Sequence, residues 1–234
     1  MKNGQTPKKL LALDIISLFL ILLSFLNVFL RTPVELNMGL VQKVFYFHVA
    51  YAWIGMVSFL VAAVSSIIYL KNQKTVFDSV AESAVEIGLV FTLIAIITGS
   101  IWAKPIWNTW WTWDPRLTTT SIMALIYVGY IFLRHSLENP DKKRKITAVF
   151  CIIGCLSVPL TFFSIRGARS IHPVVIAGEN TGMNLSPLML QAMLFAILAF
   201  SVFYIALLWH RVRLSNLNEE VELMKNQLEE EIDV

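Results

Sequence analysis

The sequence predicts an all-α integral membrane protein with six transmembrane helices, and two observations lead to this class. Of the 234 residues, 56% are hydrophobic and only 15% are charged, whereas soluble domains carry roughly 25% charged residues. The apolar residues also fall into long blocks, and a helix needs about 20 of them to cross roughly 30 Å of hydrocarbon. The six predicted spans are Leu10–Leu30, Val44–Leu70, Ala84–Ala103, Leu117–Leu133, Ile146–Ile165 and Pro187–Trp209.

The distribution of positive charge predicts how these spans are oriented. Lysine and arginine collect on the cytoplasmic side of membrane proteins. With the N-terminus inside, 13 of the 19 basic residues fall in inner segments and 6 in outer ones. The first span follows basic residues as a signal peptide does, but it is too long for one and no small-x-small cleavage site follows it. We therefore expect a retained first helix and both termini inside the cell.

The chain divides at Trp209 into a membrane domain, residues 1–209, and a cytoplasmic tail, residues 210–234. The apolar residues of the tail recur at steps of three and four, with acidic residues between them. This spacing predicts an amphipathic acidic helix. A partner-binding helix, a short coiled coil and a helix without a partner all remain open for it.

The segment between the third and fourth spans is unusually rich in tryptophan. Five of the seven tryptophans lie between Trp102 and Trp113, on the outer face in the predicted topology. If this segment is helical, four of them give one broad aromatic face that suits a flat apolar ligand: Trp107, Trp110, Trp111 and Trp113. Asp114 and Pro115 then read as the N-cap and first residue of the fourth helix, and Asp114 can also orient a neighbour by hydrogen bonding.

Two histidines accompany the tryptophans on the outer side. His48 lies about one turn into the second span, and His172 lies in the last outer loop. Two neutral imidazoles from different segments can occupy both axial positions of a haem iron. Arg116, Arg166 and Arg169 are the candidate partners of the haem propionates, with phospholipid head groups as their alternative partners.

Several motifs are absent from the sequence, and their absence restricts the functions that the chain can have. There is no CxxCH, so covalent c-type attachment of haem is not expected, and the predicted cofactor is non-covalent haem b. There is no GxxxxGK[ST], so a step driven by ATP belongs to a partner. The net charge of +3 reflects membrane topology, and no basic domain supports binding to nucleic acid.

The run WAKPIWNTWWTWDPRLT, from Trp102 to Thr118, resembles the tryptophan-rich "WWD" signature of the haem-handling proteins of cytochrome c maturation. The resemblance is closest to the CcmC (haem exporter protein C) type, and it covers nearly the whole chain, with the WWD segment at about residues 102–119. Two positions depart from the family pattern: Asn108 stands where glycine is frequent, and Pro115 where alanine is frequent.

The resemblance implies a protein of the bacterial cytoplasmic membrane that holds haem on its outer face. His48 and His172 would be the axial ligands of the iron, and the platform would consist of Trp107, Trp110, Trp111, Trp113 and Asp114. Its implied partners are the small membrane protein CcmD, the haem chaperone CcmE and the ABC-type CcmA/CcmB complex. The larger CcmF and CcsA types ligate haem and carry more helices, so delivery is expected here rather than ligation.

Alternative functions remain open from the residues alone. A b-type cytochrome that carries electrons would use His48 with His172 as an outer pair and His135 with His210 as an inner pair. A transporter without haem would bind another flat or lipidic substrate on the tryptophans. In the favoured interpretation the chain is not an enzyme, since it holds and hands over haem without making bonds.

Overall fold

The computed structural model describes residues 6–167, 170–173 and 185–232, and this part of the chain is almost entirely helical. Six segments of it are long and apolar enough to cross a membrane. The predicted all-α membrane class is therefore confirmed. The helices are α1 Lys8–Leu26, which continues as a π-helical turn over Asn27–Arg31, α2 Gln42–Asn72, α3 Thr75–Trp107, α4 Pro115–Ser136, α5 Pro140–Gly154, α6 Ser157–Gly167 and α7 Pro187–Ile232.

The end of α3 that is predicted to face the cytoplasm, called the inner end below, extends beyond the predicted span Ala84–Ala103. The helix begins at Thr75 rather than at Ala84, because its acidic residues are paired inside the bundle. The guanidinium of Arg134 on α4 lies 2.7 Å from an oxygen of Asp78 and 2.7 Å from an oxygen of Glu82. Such pairing offsets the cost of burying the charges. This cluster fastens α3 to α4 at the inner end.

The fifth predicted span, Ile146–Ile165, is two helices rather than one. The chain turns at Cys155 and Leu156, between α5 and α6. Pro159 has no N–H to donate to the carbonyl of Cys155, so the helical ladder is interrupted there. The two helices still form one membrane-crossing segment over Pro140–Arg166. After the break α6 packs on α4, whereas α5 packs mainly on α2 and α4.

The centre of the bundle is the closely packed pair α2 and α3. Gly55 and Gly88 allow the approach: a Cβ on Gly55 would lie 2.5 Å from the Thr92 hydroxyl, and one on Gly88 would lie 2.8 Å from Phe59. Helix α7 packs against both α2 and α3. On the other side, the Phe59 ring stacks on that of Tyr127 on α4, with 3.5 Å between ring centroids.

Helix α7 passes through residues 209 and 210 without interruption, so the predicted tail helix continues the last span. A histidine–carboxylate hydrogen bond and an ion pair hold its extension at the inner end of the bundle. His210 lies 3.0 Å from Asp14 of α1, and Arg211 lies 2.7 Å from Glu86 of α3. The described start of α1 and the extension of α7 therefore lie at one end, as both termini inside would require. Which face is cytoplasmic stays a prediction.

Candidate haem site

The tryptophan segment is helical only up to Trp107, where α3 ends. Asn108 adopts a left-handed backbone with φ of 55°, and the chain then runs irregularly to Asp114. Glycine is the usual residue in this conformation, and asparagine is among the side chains that tolerate it best. Asn108 therefore suits this left-handed position without a glycine. The Nζ atom of Lys104 donates to the Asn108 carbonyl at 3.2 Å and supports the turn.

Because the helix ends there, the tryptophans do not form one continuous face. Trp102 is buried, and its ring makes an edge contact with Trp107 at a centroid distance of 5.2 Å. Trp107 and Trp111 are half-buried, whereas Trp110 is 57% and Trp113 is 78% exposed. In place of the predicted single platform, Trp107, Trp110 and Trp111 line a cavity, and Trp113 is not among its lining residues.

Asp114 has both of the roles that the sequence allowed. It caps α4 by accepting a hydrogen bond from the Arg116 N–H at 2.9 Å, as predicted. The same carboxylate accepts from the Ser170 hydroxyl at 3.0 Å and from the Ile171 N–H at 2.9 Å. It therefore fastens the residues just before His172 to the start of α4.

His48 is fixed by the third helix. Its Nδ1 lies 2.9 Å from the carbonyl oxygen of Ala95. A carbonyl only accepts, so Nδ1 carries the proton and the lone pair of Nε2 is left to bind a ligand. The ring fits because Gly99 has no side chain: a Cβ there would lie 2.8 Å from His48 Cε1.

His172 faces His48 across the site, in the same tautomer. Its Nδ1 lies 3.2 Å from the Pro173 carbonyl. Burial lowers the pKa of His172 to about 3, with the positive charge of Arg116 and the proximity of His48 as further causes. The ring is thus neutral at pH 7, as a metal ligand must be.

The spacing of the two rings fits a shared metal. Their centroids are 6.5 Å apart. Two imidazoles bound to one metal through bonds of about 2 Å, with about 1.1 Å from each nitrogen to its ring centre, have centroids about 6 Å apart. The donor set therefore suits haem iron with two axial histidines.

These side chains line a cavity of about 1280 Å³, a volume that includes its open mouth. Of the residues predicted for the site, seven line this cavity: His48, His172, Trp107, Trp110, Trp111, Arg116 and Arg166. Trp113 and Asp114 do not line it, and Arg169 lies outside the described residues.

The two lining arginines lie on the α4 and α6 side of the cavity. Arg116 Nη1 donates to the carbonyls of Thr161 and Phe162, at 2.8 and 3.2 Å, and so joins α4 to α6. The Arg166 guanidinium lies 5.3 Å from the centroid of the Phe162 ring. Both cations thus stand beside the histidines, where anionic groups of a ligand would meet them.

Sequence reasoning missed the deeper part of the cavity. Trp53, Met56, Gly99, Thr120 and Met123 also line it. On α2 the lining residues follow the i, i+3, i+4, i+7 spacing of one helix face: Val49, Ala52, Trp53 and Met56. That pattern is present in the sequence, but it does not differ from the pattern of an ordinary packed face.

The inner histidines, in contrast, are not brought together as ligands. His135 Nδ1 lies 2.8 Å from the Ile131 carbonyl of its own helix, and His210 pairs with Asp14. Neither lines the cavity. The inner pair required by a two-haem electron carrier therefore has separate partners on different helices.

The fold and the cavity define a polytopic membrane protein with a tryptophan-lined histidine pair at one end. A model of the family described as "Heme exporter protein C" (CcmC) matches residues 5–227. The chain belongs to this family. It is 35% identical to the heme exporter protein C of Rhodobacter capsulatus, over 79% of this chain and 77% of the relative. It is 33% identical to that of Paracoccus denitrificans, over 78% and 76%, and 32% identical to that of Escherichia coli, over 60% and 57%.

Proposed function

We propose that this protein holds haem b non-covalently between His48 and His172 and delivers it to a haem chaperone for cytochrome c maturation. The observation that carries the proposal is the pair of neutral, carbonyl-anchored imidazoles with centroids 6.5 Å apart on the wall of one cavity. The names of the relatives add support, since they include heme exporter proteins and a putative cytochrome c biosynthesis protein of Marchantia polymorpha.

The side chains around the two histidines have different roles in the proposed haem site. Trp107, Trp110 and Trp111 supply aromatic surface for the macrocycle, since they line the cavity beside the histidines. Arg116 and Arg166 offer positive charge to the two propionates. Asp114 keeps the His172 loop in place through its hydrogen bonds to Ser170 and Ile171.

Bound haem would bring an iron that binds two axial nitrogens, and the chain itself makes and breaks no covalent bonds. His48 is presented by a rigid helix, whereas His172 is presented by a loop. His48 and His172 would hold the haem from both sides and would shield its iron from other ligands until a partner takes the haem. Release of the loop ligand needs less rearrangement than release of the helix ligand, so we expect exchange to begin at His172.

The proposed location of the haem site follows from the distribution of basic residues and from the family. With the basic residues inside, the haem site faces the outer side of the bacterial cytoplasmic (inner) membrane. CcmE is the proposed acceptor and CcmD the proposed companion in the membrane. The CcmA/CcmB complex is the proposed source of the ATP-driven step.

A maturation assay tests this function. The chain replaces the CcmC protein of a bacterial host that makes a c-type cytochrome, and covalent haem in that cytochrome is measured. We expect wild type to support maturation, and His48→Ala and His172→Ala each to abolish it. His135→Ala is the matched control, because that histidine is a partly exposed side chain outside the cavity, and it should mature cytochrome normally.

Normal maturation by the double variant His48→Ala, His172→Ala would refute the proposal. Haem stoichiometry of the purified protein separates the alternatives. One haem per chain is expected for delivery, whereas two haems would favour an electron carrier. Wild-type protein that contains no haem after expression with added haem would favour a transporter for another substrate.

A further inference from the structure

The cavity continues well below the histidines, into the membrane-spanning part of the bundle. Along α2 its wall is formed by Val49, Ala52 and Met56. Met56 is eight residues beyond His48, and at 1.5 Å per residue this places it about 12 Å deeper along the helix. The proposed axial ligands account only for the outer part of this space.

The opposite wall belongs to α4, and the two walls meet only at the bottom. Leu117, Thr120 and Met123 line the α4 side. Below them the stacked rings of Phe59 and Tyr127 join α2 to α4. Among the described residues α2 and α4 are otherwise not closely packed, so a cleft separates them above this floor. We call this space, bounded by Val49, Ala52, Met56, Leu117, Thr120 and Met123, the α2–α4 cleft.

The α2–α4 cleft has a gradient of polarity along the membrane normal. Arg116 and Arg166 stand at the outer end of the cavity, beside the histidines. The hydroxyls deeper in the cavity donate hydrogen bonds to carbonyls of their own helices. Thr120 donates to the Arg116 carbonyl at 2.7 Å, and Thr92 donates to the Gly88 carbonyl at 2.8 Å. The deep walls therefore offer mainly apolar surface to a ligand. Haem has a matching asymmetry, with two carboxylates on one edge and apolar substituents on the other.

The cleft also reaches the side of the bundle. Trp53 lines the cavity, yet 41% of it is exposed, and it lies within the apolar stretch of α2. Its indole N–H donates to the Ser201 hydroxyl of α7 at 3.3 Å, which holds this partly exposed ring beside α7. A surface at this depth of the span meets lipid rather than water.

We propose that haem reaches the site sideways from the outer half of the bilayer, through the α2–α4 cleft, with its apolar edge deepest and its carboxylates toward Arg116 and Arg166. This inference rests on the proposed haem function and adds the route by which haem arrives. It requires that haem dissolved in lipid loads the protein, and that narrowing the cleft slows that loading without removing the axial ligands.

The test uses the whole protein, freed of haem and embedded in lipid nanodiscs, with two haem donors. One donor is haem dissolved in phosphatidylethanolamine and phosphatidylglycerol vesicles, and the other is haem bound to serum albumin in the aqueous phase. Loading is followed by the shift of the Soret band. Ala52→Phe fills the cleft below His48, and Ala12→Phe adds the same side chain at an exposed alanine of α1.

We expect wild type to load faster from the vesicles than from albumin. Ala52→Phe should slow loading from vesicles by about tenfold or more, because the added ring must be displaced for haem to pass. Loading of Ala52→Phe from albumin should be slowed less than its loading from vesicles, and Ala12→Phe should load as wild type does.

Three results would overturn the inference. These are equal rates for Ala52→Phe and wild type from vesicles, equal rates from the two donors for wild type, and Ala52→Phe loading that is slowed equally from both donors. Each of them leaves the haem function standing if wild type binds haem with the expected spectrum. Wild type that takes up no haem from either donor would instead refute the proposed function itself.

Discussion

Replacing Gly99 by alanine places a methyl group against the ring of His48, so the fit between α3 and this ligand can be tested directly. The added Cβ would lie 2.8 Å from Cε1 of His48 and 3.2 Å from Nδ1. Ordinary contacts begin at 3.4 Å, so the ring must move by about 0.6 Å to relieve the closest contact. That movement stretches or misaligns the hydrogen bond of 2.9 Å between Nδ1 and the Ala95 carbonyl.

The expected loss of haem affinity follows from these distances. Overpacking a well-packed position costs about 1–3 kcal/mol. At about 1.4 kcal/mol for each factor of ten, the dissociation constant for haem should rise roughly 5- to 150-fold. We expect this free-energy cost to appear as weaker haem binding. The bound state needs His48 Nε2 in one position, whereas in the haem-free protein the ring can rotate away from the added methyl group.

The assay is an equilibrium titration of haem into the haem-free protein in nanodiscs, followed by the Soret band. Gly129→Ala is the matched control, since it makes the same change in a helix where the nearest atom to a new Cβ is Phe150 Cζ at 3.7 Å. Alanine is favoured over glycine in helices by about 1 kcal/mol, so the control should bind haem normally and unfold no earlier. If Gly99→Ala binds haem as tightly as wild type and Gly129→Ala, His48 is not a ligand held by this packing.

Three further predictions follow from the site and from the inner end of the bundle. Trp111→Ala should weaken haem retention, whereas Trp113→Ala should leave it nearly unchanged. The reason is that Trp111 lines the cavity, whereas Trp113 does not line it and is 78% exposed. Equal losses of haem from the two variants in a retention assay would contradict this prediction. Asp114→Ala removes the carboxylate that accepts from Ser170 and Ile171, and we expect faster haem release with a helix-cap loss of about 1 kcal/mol. An unchanged release rate would show that the His172 loop does not depend on Asp114. The double variant Asp78→Ala, Glu82→Ala leaves the buried Arg134 without either of its carboxylate partners and should destabilise the protein by about 3–5 kcal/mol in thermal unfolding, with a normal haem spectrum below the melting range. An unchanged melting temperature would be inconsistent with the pairing described.

The spans could be predicted from sequence because lipid imposes length and hydrophobicity on each helix separately. The N-cap at Asp114 was predictable for a similar reason, since a cap depends on adjacent residues. The start of α3 was not, because Asp78 and Glu82 are acceptable in a span only when Arg134 of another helix pairs with them. Hydropathy read along one segment contains no information about that partner.

The candidate site was predictable in its ligands but not in its shape. His48 and His172 stood out because histidine is rare in this chain and both lie near the tryptophans. The single aromatic face was expected from helical spacing, and the end of α3 at Asn108 removed it. The role of Gly99 and the depth of the cavity depend on how α2, α3 and α4 approach one another, which residue spacing within one helix does not reveal.

The central claim, that His48 and His172 together bind one haem iron, is tested most directly by low-temperature electron paramagnetic resonance of the ferric haem complex. Wild type should show a single low-spin signal typical of two imidazole ligands. His48→Ala and His172→Ala should each convert it to a high-spin signal, and added imidazole should restore the low-spin form. A low-spin signal that persists in the double variant without imidazole would contradict the assignment.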